Sequence, residues 1–270
     1  MTNIKLAVTS KIPSFKAGQA YVLGVTTSNG KLELRSHRVD TALLSALDLG
    51  VLGVSAKLES LTKLPAPEGA IFALIGTGSE ELDEDSLREV GASAARQLAG
   101  AKEIIFDLPT DDDRDAVSIL EGALLGRYKF ENAFAKASKN KDALSSITAL
   151  SEHKVPNQQI ERSRTLAFAV QRVRNLVNTP PNQLFPKSFA DIVSAETKNA
   201  DVKVTILDEK ALKAQRFGGI LAVGQGSSRP PRLVKIEYRP KKAKQHLALV
   251  GKGITFDTGG ISIKPAASMV

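Results

Sequence analysis

The sequence predicts an α/β fold in two parts: an N-terminal α/β domain with a mixed sheet over residues 1–152, then the start of a larger α/β domain with a mostly parallel central sheet over residues 153–270. Three observations predict it. Short β-rich runs alternate with segments of helical periodicity, which implies crossover connections and parallel pairing. At 270 residues the chain is long enough for two cores of ordinary size. The charge also changes sign along the chain: residues 1–150 carry 17 basic and 20 acidic side chains, net −3, whereas residues 151–270 carry 20 and 9, net +11, which together make the overall +8. A polar stretch over 151–159, which contains Pro156 and lacks apolar periodicity, is the expected linker.

In the first part, residues 4–8 and 21–25 read as short strands, the second closed by the turn residues Ser28, Asn29 and Gly30. Residues 71–75 (IFALI) form a continuous apolar run ended by Gly76, as expected of a strand buried on both faces. Residues 82–98 then place Leu87, Val90, Ala94 and Leu98 on one helical face, with acids in the first turn where the helix dipole favours them, and Gly100 as a stop. A strand over 103–107 and a helix over 113–128 complete the alternation. Asp111, Asp112 and Asp113 have the composition of a cation site but also that of a solvated helix N-terminus, and the second reading is preferred. Ser60 and Lys63 have Ser-x-x-Lys spacing without the supporting motifs of a serine–lysine acylase.

The second part opens with a long helix over 160–178. Leu166, Val170, Val173 and Val177 make its apolar stripe, and Arg162, Arg164, Arg172 and Arg174 occupy other positions, where snorkelling arginines are the preferred reading over phosphate contacts. Pro180 and Pro181 force it to stop. A helix over 189–197 and strands over 202–207, 232–238 and 246–250 follow, the last two separated by a basic turn with Lys241, Lys242 and Lys244.

Composition excludes several function classes. There is no Cys, so no disulfide, thiolate zinc site or cysteine nucleophile. His37, His153 and His246 are too scattered for a multi-histidine metal site. No apolar run approaches the roughly 18 residues of a membrane span and no signal-peptide core is visible, so a cytoplasmic protein with no membrane partner is expected. The pI near 9.6 points at first to an anionic partner such as nucleic acid.

The chemistry concentrates after residue 246, where an apolar strand runs into Gly251-Lys252-Gly253, then Asp257, then Gly259-Gly260 and Lys264. A Walker loop fails because Gly253 follows Lys252, a dinucleotide fingerprint fails because Phe256 stands where glycine is required, and no Gly-x-Ser-x-Gly elbow exists. What remains is a lysine–aspartate–lysine constellation at the carboxyl end of a strand, where open α/β sheets place their sites. Asp257 is a hard oxygen donor suited to a divalent cation. Lys252 beside a metal would favour its neutral amine, and a protonated Lys264 could stabilise a developing oxyanion. A structural lysine–aspartate pair at a strand end is the competing reading.

Val250-Gly-Lys-Gly-Ile-Thr-Phe-Asp-Thr-Gly-Gly-Ile-Ser-Ile-Lys-Pro265 closely resembles the metal-site segment of the leucyl (cytosol) aminopeptidases, and Arg174-Asn-Leu-Val-Asn-Thr-Pro-Pro-Asn-Gln-Leu-Phe-Pro186 resembles the segment that opens their catalytic domain. The resemblance implies that Lys252 is a ligand of one metal ion, that Asp257 bridges two, and that Lys264 is the catalytic lysine. It implies two divalent ions (manganese or zinc, with magnesium also suitable) that activate water to remove leucine and similar N-terminal residues from peptides with a free N-terminus. It further implies a homo-hexamer, additional acidic ligands after residue 270 and a bicarbonate held by an arginine there. The chain is therefore expected to be the N-terminal portion of a longer enzyme, inactive by itself. The competing reading is a DNA-binding or regulatory module, or truncated paralogue, that uses the basic 151–270 surface. No aromatic–basic interleaving or recognition helix supports it.

Overall fold

The computed structural model describes residues 4–36, 38–78, 81–130 and 144–269, so His37 lies outside the described residues. Two compact units are present, Met1–Asn175 and Leu176–Val270.

The first unit is built on a seven-stranded sheet: β1 (Lys5–Thr9), β2 (Gln19–Ser28), β3 (Lys31–Arg35), β4 (Leu61–Pro65), β5 (Ile71–Gly76), β6 (Glu103–Asp107) and β7 (Ser146–Leu150), in the order β1-β7-β6-β2-β5-β4, with β3 on β2. Pairing from β1 through β7, β6 and β2 to β5 is parallel, whereas β3 and β4 join antiparallel. The sheet is thus mixed and mostly parallel, as expected. Period-two alternation distributes side chains between two cores. Ala20, Val22, Ala73, Ile75, Ile104 and Phe106 face one, and Tyr21, Leu23, Phe72, Leu74 and Ile105 face the other. Strands covered on both sides must be apolar throughout, which is why these runs are legible in sequence.

Short α1 (Ala42–Ser45) helps cover the second core through Leu44, whereas α2 (Glu84–Gln97) and α3 (Asp113–Gly126) cover the first. Asp83 caps α2 by accepting from the Ser86 amide at 2.8 Å. Asp112 and Asp115 form a capping box on α3, with Asp115 accepting from the Asp111 amide at 2.7 Å. The acid cluster is therefore a helix N-terminus, as preferred from the sequence. The two helices pack close because of glycine: a Cβ on Gly122 would lie 2.0 Å from the Arg88 carbonyl oxygen.

The long helix, α4 (Asn157–Asn178), forms as predicted but turns a different face inward. Ile160, Ser163 and Ala167 are buried, whereas Leu166, Val170, Val173 and Val177 are exposed, the last at 78%. Small side chains at 163 and 167 admit close approach, and Ala167 joins the first core.

In the second unit, α5 (Pro186–Thr197), α6 (Glu209–Ala214) and α7 (Gly218–Gly224) accompany the antiparallel strands β8 (Lys203–Leu207) and β9 (Leu233–Glu237). The parallel pairing expected of this part is not seen among its described strands. Residues 246–250 form no strand, and Leu247, Leu249 and Val250 are 80–97% exposed. A β-run becomes a strand only when a neighbour satisfies its backbone, and none lies beside this one among the described residues.

Candidate active site

The segment after residue 250 folds into a compact turn. Thr258 accepts from the Lys264 amide at 3.0 Å, and Gly259 and Ile263 form an antiparallel bridge. Gly259 has φ +88, and a Cβ there would meet the Ser262 carbonyl oxygen at 2.3 Å, so glycine is required on both conformational and steric grounds. This turn brings Lys264 Nζ to 3.2 Å from Asp257 Oδ2. The other carboxylate oxygen, Oδ1, accepts from the Gly259 amide at 2.9 Å. Both contacts favour the ionised carboxylate. The Gly259 amide first, then the Lys264 ammonium, and least the Lys252 charge hold Asp257 below the usual carboxylate range.

Asp257 and Lys264 are half-exposed, at 47% and 40% of their side chains, and Lys252 is exposed. The flanks are open as well: no atom lies within 4 Å of a Cβ built on Gly251 or Gly260. An ionised carboxylate and a nearby amine on an open glycine-flanked turn suit a divalent cation in kind. They leave most of its coordination sphere to other donors, since among the described residues no group of three or more His, Asp or Glu side chains gathers to hold a metal.

Other candidates resolve differently. Lys63 Nζ donates to the Gln97 carbonyl at 2.9 Å, so the Ser60/Lys63 pair has a structural partner rather than a nucleophile to activate. Several arginines of the basic half serve the chain itself. Arg164 donates to the Ile4 carbonyl, Arg174 stacks on Tyr128 at 4.0 Å, Arg229 stacks on Phe185 at 4.2 Å and bonds the Pro181 carbonyl, and Arg232 bonds the Pro231 carbonyl. Lys235 and Arg239 pair with Glu237. This disposition gives no support to a DNA-binding surface. Among the described residues, no helix is long and apolar enough to cross a membrane.

One acidic residue escaped sequence reasoning. Asp107 ends β6 beside β2, where the connections diverge toward the two halves of the sheet and an open α/β sheet would place a ligand. It is fully buried, and Oδ2 accepts from the Val39 amide at 2.8 Å, the Arg38 amide at 3.1 Å and the Ser36 hydroxyl. The chain itself fills that position. Its partners lie 68 to 71 residues upstream, so no local signal could reveal them.

Comparison with known proteins gives the family. Models of the cytosol aminopeptidase family match the chain twice, the N-terminal domain over residues 22–155 and the catalytic domain over residues 171–270. The probable cytosol aminopeptidase of Leifsonia xyli is 41% identical over 273 residues, covering 100% of this chain and 54% of the relative. That of Streptomyces coelicolor is 41% identical over 296 residues, covering 98% and 57%. Among solved structures, the bottromycin maturation enzyme BotP in complex with Mn has a TM-score of 0.74 at 25% identity, over 93% of this chain and 51% of that one. A tomato leucine aminopeptidase mutant has a TM-score of 0.76 at 23% identity over 94% and 55%, a likeness of fold. The chain spans about half the length of the curated relatives it matches.

Proposed function

Since this chain belongs to the cytosol aminopeptidase family, we propose that it supplies part of the active site of a metal-dependent aminopeptidase that removes leucine and similar residues from the free N-terminus of peptides. The observation that carries the reading is the Gly259 turn, which brings Asp257 and Lys264 together inside the span matched by the catalytic-domain model. In this reading Asp257 and the Lys252 amine would be this chain's donors to the divalent ions. Manganese and zinc suit a carboxylate–amine donor set, and magnesium suits its carboxylate. The ions, when bound, supply Lewis acidity and an activated water. The Lys264 ammonium donates to the carbonyl oxygen of the scissile bond and stabilises its developing charge. We extend the proposal to a boundary at 152/153 with the catalytic domain beginning at the linker, to a cytoplasmic location and to a homo-hexamer with a bicarbonate, all supported by the family likeness.

Joining residues 1–270 to the C-terminal half of the Leifsonia xyli relative tests the function. The chimaera is expected to hydrolyse leucine p-nitroanilide only with added manganese or zinc, and to lose that activity on Asp257→Asn. Unaltered, metal-dependent turnover by a folded Asp257→Asn chimaera would refute the assignment. The 270-residue chain alone is expected to show no turnover, because two donors do not define a dinuclear site.

A further inference from the structure

The proposed metal carboxylate is already engaged. Asp257 Oδ1 holds the Gly259 amide and Oδ2 holds the Lys264 ammonium. The amide is part of the turn's backbone, which the Gly259–Ile263 bridge and the bond from the Lys264 amide to the Thr258 carbonyl close, so it does not leave without opening the turn. The ammonium stands at the end of a flexible side chain, 40% exposed, and can leave at little cost. Building on the reading of Asp257 as a metal donor, we infer that Lys264 is a resident counter-cation of Asp257 that the incoming divalent ion displaces. The displaced ammonium remains tethered seven residues away on the same turn, available to a substrate carbonyl. Metal binding and the release of Lys264 for its own role are therefore one exchange, in which the carboxylate trades a monovalent cation for a divalent one and is never left unpaired.

The exchange makes Lys264 a competitor of the metal. Binding of Mn2+ to the 270-residue chain, followed by the electron paramagnetic resonance signal of the free ion, tests it. Wild type, Asp257→Asn, Lys264→Met and Lys264→Arg are compared at one ionic strength, with circular dichroism as the check on folding. The difference between wild type and Asp257→Asn isolates this site from other surface carboxylates. Lys264→Met is expected to bind Mn2+ about two- to fivefold more tightly than wild type, the range that an exposed ion pair allows. Lys264→Arg rebuilds the pair and is expected to bind as wild type does. If Asp257→Asn weakens binding but Lys264→Met does not tighten it, the displacement is wrong and the donor assignment stands. If Asp257→Asn binds as wild type, the donor assignment falls and the displacement falls with it.

Discussion

Two aspartates, each at or beyond the end of a β-run, have opposite fates in the two units. Asp107 is fully buried at the carboxyl end of β6, and its oxygen is saturated by two backbone amides and the Ser36 hydroxyl. Asp257 is half-exposed on an open turn, held by one amide and one mobile ammonium. A buried carboxylate is tolerable only when its partners are fixed, and fixed partners leave no room for a ligand. An exposed carboxylate with an exchangeable partner contributes little to the fold and can serve chemistry. The position an open α/β sheet ordinarily offers to a ligand is thus closed in the first unit, and the family motif stands in the second.

The largest effect that separates the two is expected at Asp107. Asp107→Ala leaves one buried and two half-buried donors without their acceptor and should lower the unfolding free energy by about 3–5 kcal/mol, the low end of about 1–3 kcal/mol per stranded group because water can reach the half-buried pair. Urea unfolding measures it, and an unchanged midpoint would put the two aspartates on one footing. Lys264→Met in the chimaera should lower kcat by about 10²–10³-fold, the range for removal of one oxyanion donor, while the unfolding midpoint stays put. A parallel loss of stability would make Lys264 structural.

Gly122→Ala sharpens the same contrast on the backbone. Its Cβ would sit 2.0 Å from the Arg88 carbonyl oxygen, so α2 and α3 must separate, at about 1–3 kcal/mol by analogy with overpacked cores. Gly260→Ala, with open space around it, should leave the melting temperature unchanged.

The smallest effects are in pH dependence, and they have opposite signs. Asp257 lies below the usual carboxylate range, so its stabilisation of the turn is present above that range and is lost as pH falls through its folded value. Tyr21, inside the second core of the first unit, is pushed from 10.0 up to about 12 by burial and, less, by Glu103. Its contribution is complete below 10 and is lost as pH rises from 10 to about 12. Phenolate absorbance of the folded protein checks this, and ionisation of Tyr21 near 10 would contradict it.

Much of the first unit was legible because its central strands and covering helices carry their periodicity in contiguous residues. β3, β4 and β7 were not recognised. KLELR alternates polar and apolar groups too briefly, LTKLP breaks the alternation at Thr62 and Lys63 and ends in proline, and SITAL is short and polar-edged, so each reads as loop until a neighbour pairs with it. The face of α4 was misjudged for a related reason. Residues 160, 163 and 167 and the stripe 166, 170, 173 and 177 are both helical rows, and only packing selects between them. The candidate motif is legible as one segment, since Lys252, Asp257 and Lys264 lie within thirteen residues of one another with the glycines of the turn between them, whereas the Asp257–Lys264 contact is set by the fold of that turn.

The sequence by itself determined the α/β class, the position of the lysine–aspartate–lysine motif and the family it belongs to, because each is written in contiguous residues. Only the tertiary structure decided which carboxylate is sealed and which is available. Asp107 is closed by groups brought from 68 to 71 residues away, and Asp257 shares its two oxygens between an amide and an ammonium. Burial and hydrogen-bond saturation are properties of what the fold brings to a side chain, and the residue's own neighbourhood in the chain does not contain them.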